Sequence, residues 1–444
     1  MELGLSKKTY KKSFEALKRL KEGRAYIVPV GLFRFSEIEP ETYKMLDLEN
    51  SQREIWLKNF PYCAVNSNSR DHILFNEKYS GEKAARCKNC RYFLVCGGFP
   101  AGYFRSFGAA DAQPVSDLPD EIMIEIESRC NLNCRFCFNK VSFASHGRQI
   151  KNRLTTEYVK NIIRHISRLG IKIVRFTGGE PLLRSDIFEL MTFAKSKKME
   201  VRLNTNGQMV NQIAASKMAG IVDNILIPIE SWENWREDKI TGASGSLARK
   251  KTALKLLAKA GIPVLRVGTV ATKDNILNFN KLEKLISKLP IKEWEFYRPV
   301  PSPGRKEDLS PANIAYLTKK IVAVRKKSRV WVSLANAIPF CVLGEGSIIN
   351  AIGAGALFDE GHRRLVVDPR GFLKPHYFID KNIGDPLNIK KAWQSSFMKK
   401  IRLNKALPAQ CQQCRFVNKC CGGSRYWAKI TYGNWWARDP LMKK

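Results

Sequence analysis

From residue 121 onward the apolar positions follow two periods in turn. Short apolar or alternating runs fall at 121–129, 171–177, 200–204, 222–229, 262–270 and 293–300. Their length and their Val, Ile and Phe content predict strands. Between them the apolar residues recur every three or four positions, as in "TEYVKNIIRHISRL" (156–169) and "SLARKKTALKLLAKA" (246–260). That spacing predicts amphipathic helices, which stop at Gly170 and Gly261 just before the next strand. Six strands alternating with helices predict a parallel sheet with right-handed crossovers. The fold class is α/β: a partial (β/α)6 TIM-type barrel, with its chemistry at the C-terminal ends of the strands.

The flanks read differently. "MELGLSKKTYKKSFEALKRLKEG" (1–23) predicts a short basic helix with Tyr10, Phe14 and Leu17 on one face, and 25–60 predicts strands followed by a helix. "PSPGRKEDLSPAN" (301–313) reads as a linker or ordered loop. A helix at 311–327 and a strand at 329–335 follow, then two β-rich runs around the turn at 368–371. The expected organisation is an N-terminal region at 1–118, a barrel at 119–305 and a C-terminal domain at 306–444.

A chain of 444 residues exceeds one ordinary core, and 44% hydrophobic with 26% charged residues fits a soluble globular protein. No apolar run reaches membrane-spanning length and the N-terminus lacks a secretory pattern. A cytoplasmic protein with no membrane partner is expected. The net charge of +35, heaviest toward the C-terminus, points to an anionic partner such as nucleic acid, an acidic peptide or a phosphorylated molecule. Lysines spread over solvated faces account for it equally well.

Twelve cysteines against five histidines change the picture most. They fall in three groups: Cys63, Cys87, Cys90 and Cys96; Cys130, Cys134 and Cys137; and Cys341, Cys411, Cys414, Cys420 and Cys421. Clustered thiols in a long chain without a signal peptide argue for metal sites. Soft thiolates select zinc, copper(I) or iron–sulfur clusters. The middle group ends the first predicted barrel strand. Two thiols would make a redox pair and four would close a metal site; three fit a metal with one position left open.

The Cys-x3-Cys-x2-Cys run with Phe136 before its last cysteine, "TGGEP" at 177–181 and "NTNG" at 204–207 resemble three motifs of the radical S-adenosylmethionine (radical SAM) superfamily. The resemblance implies a [4Fe–4S] cluster on Cys130, Cys134 and Cys137, whose fourth iron is chelated by SAM. It implies reductive cleavage of SAM to a 5′-deoxyadenosyl radical that takes a hydrogen atom from substrate. Thr177, Gly178, Gly179, Glu180 and Pro181 would meet the methionine end, and Phe136 would lie along the adenine. Thr205 and Asn206 belong to the third motif, and Glu230 is placed to bond a ribose hydroxyl. Relatives often carry a Ser and an Asp, then an Arg before a Gly, where this chain has Pro228, Glu230 and Thr241. Lys239 and Arg266 are the candidates to replace that Arg.

The tail, Cys411-x2-Cys414-x5-Cys420, resembles the SPASM domain, the C-terminal iron–sulfur module of radical SAM peptide maturases. His376 and Ser424 stand where that family has cysteines. One or two auxiliary clusters are implied, one of them on Cys411, Cys414, Cys420 and either Cys341 or Cys421, with His376 as a further candidate ligand. "CKNCRYFLVCGG" (87–98) aligns with "CQQCRFVNKCCGG" (411–423). With Cys63 it forms a closed four-thiol site for an iron–sulfur cluster or zinc. The implied enzyme is an oxidoreductase that modifies a peptide or protein side chain, with a flavodoxin or ferredoxin as reductant. Two other classes stay open: radical SAM modification of a nucleic acid or small anionic metabolite, and a non-enzymatic iron–sulfur protein. No catalytic base is legible.

Overall fold

The computed structural model describes residues 60–61, 63, 81–90, 96–115, 117–137, 154–299, 309–343, 353, 356, 360–402, 406–414 and 416–442, together with four N-terminal strands. The chain divides into two compact units. One is Met1–Asp117 with Val324–Trp331; the other is Leu118–Ala323 with Val332–Lys444.

The first unit contains a sheet of β1 (Glu2–Leu5), β2 (Gly23–Pro29), β3 (Arg53–Lys58) and β4 (Ile73–Leu74), paired in parallel in that order. This corrects two expectations. Residues 2–5 of the expected basic helix form a strand; the rest of it, with Tyr10, Phe14 and Leu17, lies outside the described residues. Residues 53–58 form a strand where the end of a helix was expected, because "REIWLK" pairs along its length with β2. Pairing of this kind overrides a weak local preference. Further on, the rings of Phe99, Tyr103, Phe104 and Phe107 pack with centroids 4.7–5.8 Å apart. The Glu82 carboxylate accepts from the Gly102 N–H (2.7 Å) and Phe104 N–H (3.1 Å) at the start of the helix Tyr103–Phe107. These two bonds hold its pKa below the usual carboxylate range.

The second unit is built on β5 (Glu121–Glu127), β6 (Ile173–Gly178), β7 (Glu200–Asn204), β8 (Asn224–Pro228), β9 (Val264–Val270) and β10 (Glu293–Tyr297). All six are parallel neighbours in sequence order, each followed by helix, as the alternation of periods predicts. The helix Thr156–Arg168 shows why. Val159, Ile162, Ile163 and Ile166 share one face and are fully buried. Each such side chain stabilises the fold by about 1.5–3 kcal/mol. Thr155 starts the helix by accepting the Tyr158 N–H at 3.2 Å.

The sheet does not stop at six strands. It runs β11-β10-β9-β8-β7-β6-β5-β12-β13, with β11 at Trp331–Leu334, β12 at Arg364–Val367 and β13 at Leu373–Lys374. β12 pairs in parallel with β5, and β13 turns back antiparallel on β12. The C-terminal third therefore extends the barrel sheet at both edges. A row of charges crosses the sheet: Glu121 on β5 pairs with Arg175 on β6, and Arg266 on β9 is held by Asn224 on β8 and Glu295 on β10.

Candidate functional site

On β5 Ile122, Ile124 and Ile126 alternate with Glu121, Met123, Glu125 and Glu127, and all seven residues are buried. The isoleucines pack outward and the odd positions line the lumen. Past Glu127 the chain leaves the sheet at the C-terminal mouth and carries Cys130, Cys134 and Cys137 on a loop with no helix or strand of its own. Glu127 anchors the start of that loop, accepting from the Arg129 backbone N–H (3.0 Å) and from its guanidinium (2.8 and 3.1 Å). Further along, the Asn133 and Arg135 N–H groups donate to the carbonyls of Thr241 and Ile240 (both 2.9 Å), at the end of the helix Asn234–Thr241. Cys130 is exposed; Cys134 and Cys137 are half-buried. Burial, with lesser contributions from Cys137, Glu230 and Cys130, pushes the Cys134 thiol up to about 12, against a smaller opposing effect of Lys250.

The "TGGEP" loop docks on this one. The Gly179 N–H donates to the Glu127 carbonyl (2.6 Å) and the Glu180 N–H to the Arg129 carbonyl (2.8 Å). A Cβ on Gly178 would lie 2.3 Å from the Glu127 oxygen, and one on Gly179 would lie 2.1 Å from the Arg129 oxygen. The small residues expected for approach to a ligand are thus required first by contact between the two loops. Glu180 is fully buried and occupied. Its Oε1 accepts from the Leu182 N–H (3.0 Å) and the Thr205 hydroxyl (2.7 Å), and its Oε2 from the Asn206 N–H (2.7 Å). It ties the second motif to the third. The Asn206 amide then reaches Asn131 Oδ1 (2.7 Å) and Cys130 Sγ (3.7 Å). Thr177, Pro181 and Thr205 are buried beside these groups and Phe136 is half-buried on the thiol loop.

Glu230 lies just past the C-terminal end of β8, where its Oε2 accepts from the Val270 N–H at 2.7 Å. Burial, then Glu237, pushes its carboxyl up to about 8. Glu237 accepts from the Glu230 and Ser231 N–H groups (3.0 and 2.8 Å) and from Lys250 Nζ (2.5 Å), in an ion pair 1% and 0% exposed. Arg266 is not at the mouth. It sits third along β9, held by both Glu295 oxygens (2.7 and 2.8 Å) and by Asn224 Oδ1 (2.7 Å). It is thereby committed to the lumen and replaces no clamp.

The lumen holds charges that reading the chain missed. Glu121 pairs with Arg175 (2.6 Å), Arg364 (3.1 Å) and Arg202 (3.5 Å), and Glu125 pairs with Lys374 of β13 (2.9 Å). The signal was present: a glutamate at nearly every second position of "EIMIEIE" has no place in a buried strand unless that face meets cations.

The C-terminal thiols gather within the second unit. Cys341 is exposed, yet partial loss of solvent, then Cys411 and more weakly Cys414, push its thiol up to about 11, and burial, with a lesser effect of Cys341, pushes Cys420 up to about 12. The Phe340 N–H donates to Cys420 Sγ at 3.3 Å. Cys421 is placed apart, at φ 51° and 4% exposed, in an apolar cluster with Ala337 and Ala356. His376 is fully buried, its ring 3.9 Å from that of Tyr377 and 4.3 Å from that of Phe378. Ser424 accepts from the Trp427 N–H (3.1 Å), capping the helix Arg425–Tyr432. In the first unit, Cys63, Cys87, Cys90 and Cys96 line one cavity. All twelve cysteines are free thiols.

A loop of three mutually interacting thiols at a barrel mouth, braced by two glycine-bearing loops, defines a class. Residues 124–287 match the family described as the Radical SAM superfamily. Those residues carry a domain of that superfamily, and the chain is an enzyme. It is 24% identical over 353 residues to the AdoMet-dependent heme synthase of Nitratidesulfovibrio vulgaris, covering 74% of this chain and 93% of the relative. It is 27% identical over 322 residues to the mycofactocin maturase MftC of Mycobacterium tuberculosis, covering 69% and 78%. In fold it resembles SuiB of Streptococcus suis bound to its precursor peptide SuiA, with TM-score 0.60, 16% identity and 73% and 76% coverage. That domain implies a [4Fe–4S] cluster and SAM. The donor set fits them: three neighbouring thiols on one loop, with no fourth cysteine in that group. Among the described residues no helix is long and apolar enough to cross a membrane.

Proposed function

We propose that the enzyme modifies a peptide or protein side chain by hydrogen-atom abstraction at the barrel mouth. Cys130, Cys134 and Cys137 would hold the cluster, which when bound supplies the electron that splits SAM into methionine and a 5′-deoxyadenosyl radical. The chain's own residues orient and enclose. Glu127 and the Asn234–Thr241 helix fix the thiol loop from both ends. Thr177, Gly178, Gly179 and Pro181 form the rim on which the methionine end would rest, with Glu180 holding that rim to Thr205 and Asn206. Phe136 would flank the adenine. Glu230, whose carboxyl keeps its proton up to about pH 8, is poised to donate to a ribose oxygen. The lumen network would exclude bulk water and present fixed charges below the reacting carbon.

The observation that carries this reading is the seating of "TGGEP" on the thiol loop through the 2.6 and 2.8 Å bonds. The peptide substrate is supported by MftC, named a maturase, and by the SuiB–SuiA complex. It is also supported by Cys341, Cys411, Cys414 and Cys420, which would carry an auxiliary cluster to take up a substrate electron. A flavodoxin or ferredoxin would supply reducing equivalents. A second reading, a small anionic substrate, draws on the +35 charge and on the relative named for heme synthesis. Reduced protein, SAM and a peptide encoded beside its gene decide between them. The peptide reading expects a product altered in mass by loss of hydrogen, formed in step with 5′-deoxyadenosine. Turnover only with non-peptide anions overturns it.

A further inference from the structure

The cavity in the first unit lies outside the matched residues 124–287 and outside the barrel. Its lining gathers Cys63, Cys87, Cys90 and Cys96 with Lys83, Gly98, Phe99, Gln113 and Pro114. Cys87 rides on the 3-10 turn Ala85–Asn89, and the Cys90 N–H closes that turn onto the Cys87 carbonyl at 2.9 Å. The segment after Cys96 is fixed by the Glu82 and Phe99 backbones, which exchange bonds of 2.7 and 2.8 Å, and by Gly98 at φ +87°, where a Cβ would lie 2.6 Å from the Glu82 oxygen. Two backbone amides point at sulfur. The Gly98 N–H donates to Cys96 Sγ (3.4 Å) and the Val115 N–H to Cys90 Sγ (3.3 Å). Cys63, half-buried, lines the same cavity as Cys87, Cys90 and Cys96.

The second unit repeats this construction. The Cys414 N–H closes onto the Cys411 carbonyl at 3.1 Å, an amide meets Cys420 Sγ, and Gly422 and Gly423 follow at φ +74° and +75°. Two sites built alike from Cys-x2-Cys-x5-Cys and one distant thiol take the same kind of group.

We propose that Cys63, Cys87, Cys90 and Cys96 hold a four-iron iron–sulfur cluster with every iron ligated by the protein, and not a zinc ion. All four thiols line one cavity, in the same Cys-x2-Cys-x5-Cys frame as the C-terminal group. Amides directed at sulfur, with Lys83 at the rim, suit the net negative charge of a thiolate-ligated cluster. Because all four corners are filled, SAM has no iron to chelate here, so this site transfers electrons or holds the fold without splitting SAM.

The test uses the full chain, purified and reconstituted without oxygen, with iron, sulfide and zinc measured per chain. The double variant Cys87→Ala/Cys90→Ala is expected to lose about four irons and four sulfides while 5′-deoxyadenosine formation at the triad persists. Stoichiometric zinc in the wild type that vanishes in this variant overturns the proposal, as does unchanged iron. Should the double variant fail to fold, Cys63→Ser keeps three of the thiols. It is expected to give a new paramagnetic signal on oxidation, from a cluster that has lost one iron; a site that stays silent and contains zinc contradicts the assignment. The iron, sulfide and zinc counts and the paramagnetic signal do not depend on SAM cleavage, so the proposal stands or falls apart from the enzymatic reading.

Discussion

Cys130, Cys134 and Cys137 ride on a loop without regular structure, whereas Cys87 and Cys411 each sit on a short helical turn that closes on its own partner cysteine. The triad loop closes one turn of its own, with the Cys137 N–H on the Cys134 carbonyl at 3.4 Å, and is otherwise held from outside by Glu127, the glycines of the second motif and the end of the Asn234–Thr241 helix. The four-thiol groups add left-handed glycines just past their Cys-x5-Cys runs, at Gly98 and at Gly422 and Gly423. A site that must leave one coordination position empty cannot rely on its metal to complete its geometry, so the scaffold does so. A site with four thiols can be closed by the metal itself.

That contrast predicts where damage will spread. The largest effect is expected at Lys250. Lys250→Met leaves Glu237 charged, buried and unpaired beneath the triad loop, which costs about 3–5 kcal/mol. Urea unfolding should show the loss, and a variant as stable as the wild type would remove the brace from the account. Next is Gly179→Ala. Its added carbon meets the Arg129 carbonyl, so the second motif must lift off the thiol loop. SAM cleavage is expected to fall by about 100-fold. The iron proposed for the four-thiol groups should stay unchanged, and equal loss of iron everywhere would break the distinction.

A smaller effect concerns pH. Burial, with Glu237, raises the Glu230 carboxyl from 4.5 to about 8. The folded protein therefore keeps a proton that the unfolded chain releases. This contribution to stability is complete below the unfolded value and is lost as pH rises toward 8, by up to about 1.4 kcal/mol per pH unit. Glu230→Gln is expected to abolish that slope in unfolding measurements across this range; a slope that persists places the buried proton elsewhere. The smallest effect falls at Cys421. Cys421→Ala should cost about 1 kcal/mol of packing or less and no iron, whereas Cys420→Ala should cost about four irons. Iron analysis of the pair separates the thiol proposed to hold a cluster from its neighbour in the apolar core.

Much of this was legible in the chain. The six barrel strands stand where the apolar periods change, within three residues at either end, because helices and strands there bury one face each and the pattern records it. The triad and the two glycine-bearing motifs were legible because their spacing places them at strand ends. Three features were not. The extension of the sheet by β12 and β13 depends on pairing between residues about 240 apart, such as Arg364 with Glu121, which no local pattern encodes. The burial of Cys421 with Ala337 and Ala356, at a left-handed backbone position, is likewise set by the fold and not by spacing. Glu180, read as a ligand contact, spends its oxygens on Leu182, Thr205 and Asn206, and only folding brings those donors to it.

The central claim is that the three-thiol loop, alone among the cysteine groups, supports SAM cleavage. Its most direct test is 5′-deoxyadenosine formation by oxygen-free, reconstituted and dithionite-reduced protein, alongside Cys130/Cys134/Cys137→Ala. The wild type is expected to bind about twelve irons and to release 5′-deoxyadenosine, and the triple variant to bind about four fewer and release none. No 5′-deoxyadenosine from the wild type, or the same amount from the variant, would contradict the account.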